Sequence, residues 1–87
     1  MKKLVKFTQT TCNPCNILEM MLKQMEVEVD ESILIADDAE LKRVEEEFGV
    51  MSTPTLVAFN EDGTEYARVV GINPGLINEL LEDIGKL

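Results

Sequence analysis

Cys12 and Cys15 are the only cysteines in this 87-residue chain, and Asn13-Pro14 stands between them. Proline lacks an N–H and has a fixed φ, so an α-helix tolerates it only in the first turn. A helix containing Pro14 must therefore start close to Cys12. Ile17, Leu18, Met21, Leu22 and Met25 follow at helical spacing and call for such a helix. Two thiols at i and i+3 at its start lie one turn apart, able to close a small disulfide and reopen it. That arrangement suits electron exchange better than structural stapling. A zinc site would need two more ligands, and with no histidine and no third cysteine no metal is expected.

The remaining pattern alternates strands and helices. Lys3–Thr8 carries Leu4, Val5 and Phe7 on both sides of the alternation, as a central strand requires. Thr8–Thr11 reads as a polar connector, and Glu19 and Lys23 form an i,i+4 pair on the outer face of the first helix. Ser32–Ala36, with Ile33, Leu34 and Ile35, reads as a buried strand. Asp37 and Glu40 then open a helix containing Leu41, Val44 and Phe48 in the manner of a capping box, and Gly49 closes it. Thr55–Asn60 and Thr64–Val70 flank Glu61-Asp62-Gly63, a hairpin signal. Asn73-Pro74 starts a last helix with Leu76, Ile77, Leu80, Leu81 and Ile84 as its buried stripe. A right-handed βαβ unit followed by ββα predicts an α/β fold: one four-stranded mixed sheet flanked by three helices.

Composition narrows the function. Seventeen acidic against eight basic residues leave a net charge of −9, which argues against nucleic acid and against anionic membranes. The run Glu45-Glu46-Glu47 reads as a solvated helix face. With four aromatic residues and no tryptophan the core must be mostly aliphatic, with Met20, Met21, Met25 and Met51 as adaptable filler. Lys6 and the polar stretch after it leave no apolar region for a secretory signal, and no segment approaches the length of a membrane span. A cytoplasmic location is expected, where disulfides are transient and redox-active.

Cys12-Asn13-Pro14-Cys15 after the first strand, Ser52-Thr53-Pro54-Thr55 entering the hairpin, and Val70-Gly71 before the last helix occur in an order and spacing that resembles a small thioredoxin-fold protein. The resemblance covers nearly all of residues 1–87, as a single domain. Proline directly before the second cysteine is similar to the thioredoxin signature; glutaredoxins usually place it after the first. The helix N-terminus favours thiolate, so Cys12 is expected to be the more acidic and exposed thiol and to attack a substrate disulfide, with Cys15 resolving the mixed disulfide. The resemblance further implies a cis Thr53–Pro54 bond beside the disulfide, with the backbone edge of Thr53 free for an extended substrate segment. Asn13, Pro14 and Gly71 complete the expected substrate-binding set. Gly71 serves either a close approach or turn of the backbone, or simply the end of a strand.

Two positions depart from the family. Thioredoxins usually carry a buried carboxylate six residues before the first cysteine; here Lys6 stands there and either tunes the thiols from inside or, more in keeping with lysine, carries its charge out to solvent. Thr11 replaces the tryptophan usual before the first cysteine, making the substrate platform less aromatic. The sequence starts without the first strand and helix of full-length thioredoxins, so in size it is closer to glutaredoxins and to the small redoxins that serve ribonucleotide reductase. Gly71-Ile72-Asn73 replaces the glycine pair and acid with which glutaredoxins hold glutathione. The expectation is a monomeric protein-disulfide reductase with no bound cofactor, recharged by a flavin-dependent thioredoxin-reductase-like enzyme, ribonucleotide reductase being one candidate substrate. The alternatives are a glutathione-dependent glutaredoxin and a thioredoxin-fold binding subunit with incidental thiols.

Overall fold

The computed structural model describes residues 2–87. The elements are β1 (Lys3–Gln9), α1 (Asn13–Gln24), β2 (Glu31–Ile35), α2 (Asp38–Phe48), β3 (Thr55–Phe59), β4 (Glu65–Val70) and α3 (Pro74–Asp83). The sheet order is β2-β1-β3-β4, with β2 parallel to β1 and the other neighbours antiparallel. β1 is central because its residues are apolar in both directions. Leu4 packs with Leu18 and Leu22 of α1 and Ile77, Leu80 and Leu81 of α3. Val5 and Phe7 pack on the opposite face with Val44 of α2, and Phe48 stacks on Phe7 at 5.3 Å between ring centroids. The four-stranded mixed sheet with helices on both faces is thus as the element order predicts.

The helix boundaries follow their caps. The Asp37 carboxylate accepts the Glu40 N–H at 2.8 Å, and Gly49 ends α2 at φ 69°. Asn73 Oδ1 accepts the Leu76 N–H at 3.2 Å, with Pro74 in the first turn of α3. Some strand ends shift for local reasons. β2 stops at Ile35 because the Glu40 carboxylate reaches back to the N–H of Ala36 at 3.2 Å. β4 begins at Glu65 because the Thr64 N–H is taken by Asp62 in the turn, at 3.0 Å.

Three packing expectations need correction. β2 is an edge strand rather than a buried one: Ile33 and Ile35 face the core while Leu34 is 56% exposed. Met20 and Met51 lie on the surface instead of filling the core. Ile17 and Leu76 are also exposed, because each successive residue rotates by about 100° and only the middle of each apolar stripe meets the sheet.

Two side chains tie distant elements together. Asp30 accepts the N–H of buried Leu4 through Oδ2 at 2.7 Å while its own N–H donates to Leu4 O at 2.8 Å, lengthening the β1–β2 pairing by one side-chain rung. The Leu4 N–H above all, helped by Lys86, holds the Asp30 carboxyl below the ordinary aspartate range. Arg68 of β4 donates to the carbonyls of Phe48 at 2.6 Å and Gly49 at 3.1 Å. It supplies the cation that the last turn of α2 lacks, and its hydrogen bonds to Glu65 lower that carboxyl and raise the guanidinium.

Both ties are testable by urea unfolding. Asp30→Ala strands a buried donor and should lower stability by about 1 kcal/mol at neutral pH, since Asp30 is partly screened by solvent. A carboxyl whose folded pKa is depressed stabilises above its unfolded value of about 3.9 and loses that contribution as pH falls through the folded value. The gap between wild type and Asp30→Ala should therefore narrow in acid. Arg68→Met leaves two carbonyls and Glu65 without their donor and should cost about 2 kcal/mol.

Candidate functional site

β1 ends at Gln9, the chain turns through the exposed Thr10 and Thr11, and Cys12 takes the N-cap of α1 in extended conformation, φ −151° and ψ 99°. Its sulfur stands where a cap oxygen usually stands and accepts the N–H of Cys15 at 3.2 Å. The two cysteines form a disulfide, S–S 2.08 Å and Cα–Cα 5.2 Å. Cys12 is half-buried, Asn13 and Pro14 are exposed, and Cys15 is only 2% exposed. The helix start predicted from Pro14 is therefore observed, and it separates an accessible outer sulfur from a sealed inner one.

The loop between α2 and β3 comes up beside this disulfide. The Thr53–Pro54 bond is cis, as the resemblance implied. Pro54 is buried, its carbonyl accepts the Gly71 N–H at 2.8 Å, and Thr55 Oγ1 donates to Ser52 O at 2.8 Å. Gly71 has φ 75°, and a Cβ there would meet open space. Its glycine therefore serves the left-handed turn and not a close approach. The Thr53 hydroxyl lies 2.7 Å from Gln9 Oε1 and 3.6 Å from Cys12 Sγ. Among the described residues, no backbone partner takes up the N–H or C=O of Thr53.

Lys6 runs beneath α1, its side chain 13% exposed, and its Nζ meets Glu19 Oε1 at 3.0 Å. Glu19 thus reaches across to β1 and not along the helix to Lys23. The buried polar side chains described are Thr8 and Thr55, so no buried carboxylate accompanies Cys15 among the described residues. Nor do the described residues contain a cluster of histidine, cysteine and acidic side chains that could hold a metal ion. A surface pocket of about 590 Å³ is lined by Lys2, Lys23, Asp30 and Lys86 and by neither cysteine.

Sequence reasoning missed Gln9 and the hydroxyl of Thr53. Gln9 sits in what reads as a polar connector, but β1 runs one residue further and carries it to the disulfide. One signal was available: residues 7–18, 49–60 and 69–78 contain no Asp, Glu, Lys or Arg, in a chain of net charge −9. The first carries the disulfide, the second brings Thr53 to it, and the third joins the second through the Gly71 N–H on the Pro54 carbonyl. After reduction, alkylation followed by mass spectrometry should find Cys12 modified well before Cys15, since one sulfur is open and the other covered. Equal rates would contradict this asymmetry.

Comparison with known proteins agrees with this geometry. Residues 1–85 match the family model described as a thioredoxin-like domain. The SPbeta prophage-derived thioredoxin-like protein YosR of Bacillus subtilis is 32% identical over 82 residues, covering 94% of this chain and 98% of that protein. The thioredoxin of Chlamydia caviae is 41% identical over 73 residues, 79% of this chain and 68% of its own. Among solved structures, thioredoxin from Aeropyrum pernix superimposes with a TM-score of 0.69 at 24% identity, covering 95% of this chain and 74% of that one. The Schistosoma mansoni thioredoxin pre-protein gives 0.71 at 19% identity over 94% and 77%. These two superpositions establish the thioredoxin fold. With a disulfide-forming Cys-x-x-Cys pair at the N-terminus of α1 and a family match over nearly its whole length, the chain belongs to the thioredoxin-like family.

Proposed function

We propose that this protein is a thiol–disulfide oxidoreductase that reduces disulfides in other proteins, with Cys12 as nucleophile and Cys15 as resolving thiol. The observation that supports this most is the position of Cys12 Sγ at the N-terminus of α1, bonded to the Cys15 N–H and joined to a covered partner sulfur. In the dithiol form, the unpaired N–H groups and the positive end of the helix dipole favour thiolate at the outer sulfur.

That thiolate attacks one sulfur of the substrate disulfide. The other substrate sulfur leaves as thiolate and takes up a proton, and a mixed disulfide on Cys12 remains. Cys15, having lost its own proton, attacks Cys12 Sγ and expels the second substrate sulfur. Two electrons have then passed to the substrate and the Cys12–Cys15 bond is closed again. Lys6 turns its Nζ to Glu19 and takes no part in this step. A two-electron donor must reopen the disulfide, and a flavin-dependent thioredoxin-reductase-like partner fits that role.

The surroundings favour a protein substrate. Ile17, Met51, Val70 and Leu76 are exposed on the three uncharged segments, and the unpaired backbone of Thr53 can add an extended peptide edge-on. Asn13, Pro14 and Gly71 border the same surface. An anionic tripeptide finds no cationic side chain in those segments, which sets the glutathione-dependent reading behind this one. Residues 1–87 would act as one monomeric domain in the cytoplasm, without a bound cofactor, on protein disulfides of which that of ribonucleotide reductase is one candidate.

In a reductase-coupled disulfide-reduction assay, Cys12→Ser should abolish turnover. Cys15→Ser should stall as a covalent mixed disulfide visible under non-reducing conditions. Unchanged turnover in either variant would reject these roles. Equal rates with glutathione alone would favour a glutaredoxin instead. Partner binding by the double-serine variant, from a wild type lacking redox turnover, would favour a binding subunit.

A further inference from the structure

We propose that the Thr53 hydroxyl is a switchable hydrogen-bond donor, held by Gln9 while the disulfide is closed and turned onto the Cys12 sulfur when it opens. This rests on the reading of Cys12 as the attacking thiol and adds to it a residue that sets the thiol's acidity.

A hydroxyl has one proton, and Thr53 Oγ1 faces two acceptors, Gln9 Oε1 at 2.7 Å and Cys12 Sγ at 3.6 Å. In the disulfide the sulfur is neutral and a weak acceptor, so the amide oxygen holds the proton. When the disulfide is reduced and the Cys12 thiol gives up its proton, Sγ carries a full negative charge. Hydrogen bonds to ionised acceptors are about twice as strong as neutral ones, which reverses the preference. Rotation about the Cβ–Oγ1 bond moves the proton without displacing either side chain. Both acceptors are already within reach, so little ordering is required.

The charge distribution makes this donor matter. No Asp, Glu, Lys or Arg occurs in residues 7–18, which carry the disulfide, in 49–60, which carry Thr53, or in 69–78, whose Gly71 bonds the Pro54 carbonyl. The lysines of β1 are compensated elsewhere, Lys3 by Glu31 and Lys6 by Glu19. Apart from the helix dipole, the donors that the structure places on this sulfur are neutral. Two are in place: the Cys15 N–H from α1 and the Thr53 hydroxyl from the α2–β3 loop. Gln9 acts through Thr53. It is a positioning residue that competes for the proton, so its removal should make Cys12 more acidic, opposite to the effect of removing Thr53.

The test titrates reduced protein by ultraviolet thiolate absorbance and by the pH dependence of Cys12 alkylation. Thr53→Val should raise the Cys12 pKa by about one unit, and Thr53→Ser, which keeps the hydroxyl, should restore the wild-type value. Gln9→Met should lower the pKa, and the double variant Gln9→Met/Thr53→Val should match Thr53→Val alone. A Thr53→Val value equal to wild type, or a Gln9→Met effect that persists without the hydroxyl, would overturn the proposal. Should Thr53→Val fail to fold, Gln9→Met decides: a lowered pKa supports the switch and an unchanged one overturns it. Wild-type turnover, measured in parallel, separates the two readings. Its absence removes the role of Cys12 itself, whereas intact turnover with unmoved pKa values removes only the switch.

Discussion

The first N–H groups of a helix have no partner within the helix, and in α1 that of Cys15 is met by the sulfur of Cys12. This contact fixes where α1 starts, joins the two cysteines across one turn, and presents the outer sulfur to the most positive point of the helix. Pro14 supports it by fixing φ in the first turn where its missing N–H costs nothing. The same short segment therefore serves both as a helix cap and as a disulfide-forming pair. Moving the helix start by one residue would lose both.

Everything else serves to hold other loops against that cap. The site lies beyond the C-terminal end of β1, and β1 is anchored on two faces, by α1 and α3 through Leu4 and by α2 through Val5 and Phe7. β3 runs antiparallel to β1, so the loop that enters it, with Thr53 and cis Pro54, arrives at the same end. Arg68 fastens the end of α2, from which that loop departs, to β4. Gly71 then bonds the Pro54 carbonyl from the exit of β4. Three loops distant in sequence are thus placed at one disulfide by ordinary sheet pairing.

The parts of this arrangement legible in the sequence are those governed by local chemistry. Pro14 marks the start of α1, Asp37 and Gly49 bracket α2, Asn73-Pro74 starts α3, and the Asp62-Gly63 turn sets the hairpin. The family resemblance added the cis bond at Pro54, which composition and spacing alone do not reveal. What escaped was decided by tertiary placement. Ile17, Met20, Met51 and Leu76 are apolar and yet exposed, because exposure depends on how each helix is rotated over the sheet. Glu19 chose Lys6 over Lys23, a pairing that exists only once α1 lies across β1. Gln9 and Thr53 are 44 positions apart, and nothing in either neighbourhood announces their meeting.

The two outer strands, β2 and β4, have a further consequence for how copies of the molecule behave together. Each leaves a row of backbone groups that another strand could use. Around β2 stand Glu28, Asp30, Glu31, Asp37 and Asp38, of which Lys86 and Lys3 offset Asp30 and Glu31, and beside β4 Asp62 adds to a Glu65 that Arg68 offsets. Two such rims brought side by side would press like charges together in the plane of the growing ladder. The net acidic excess thus disfavours strand-to-strand stacking of copies, and it stops short of the uncharged segment that carries the disulfide.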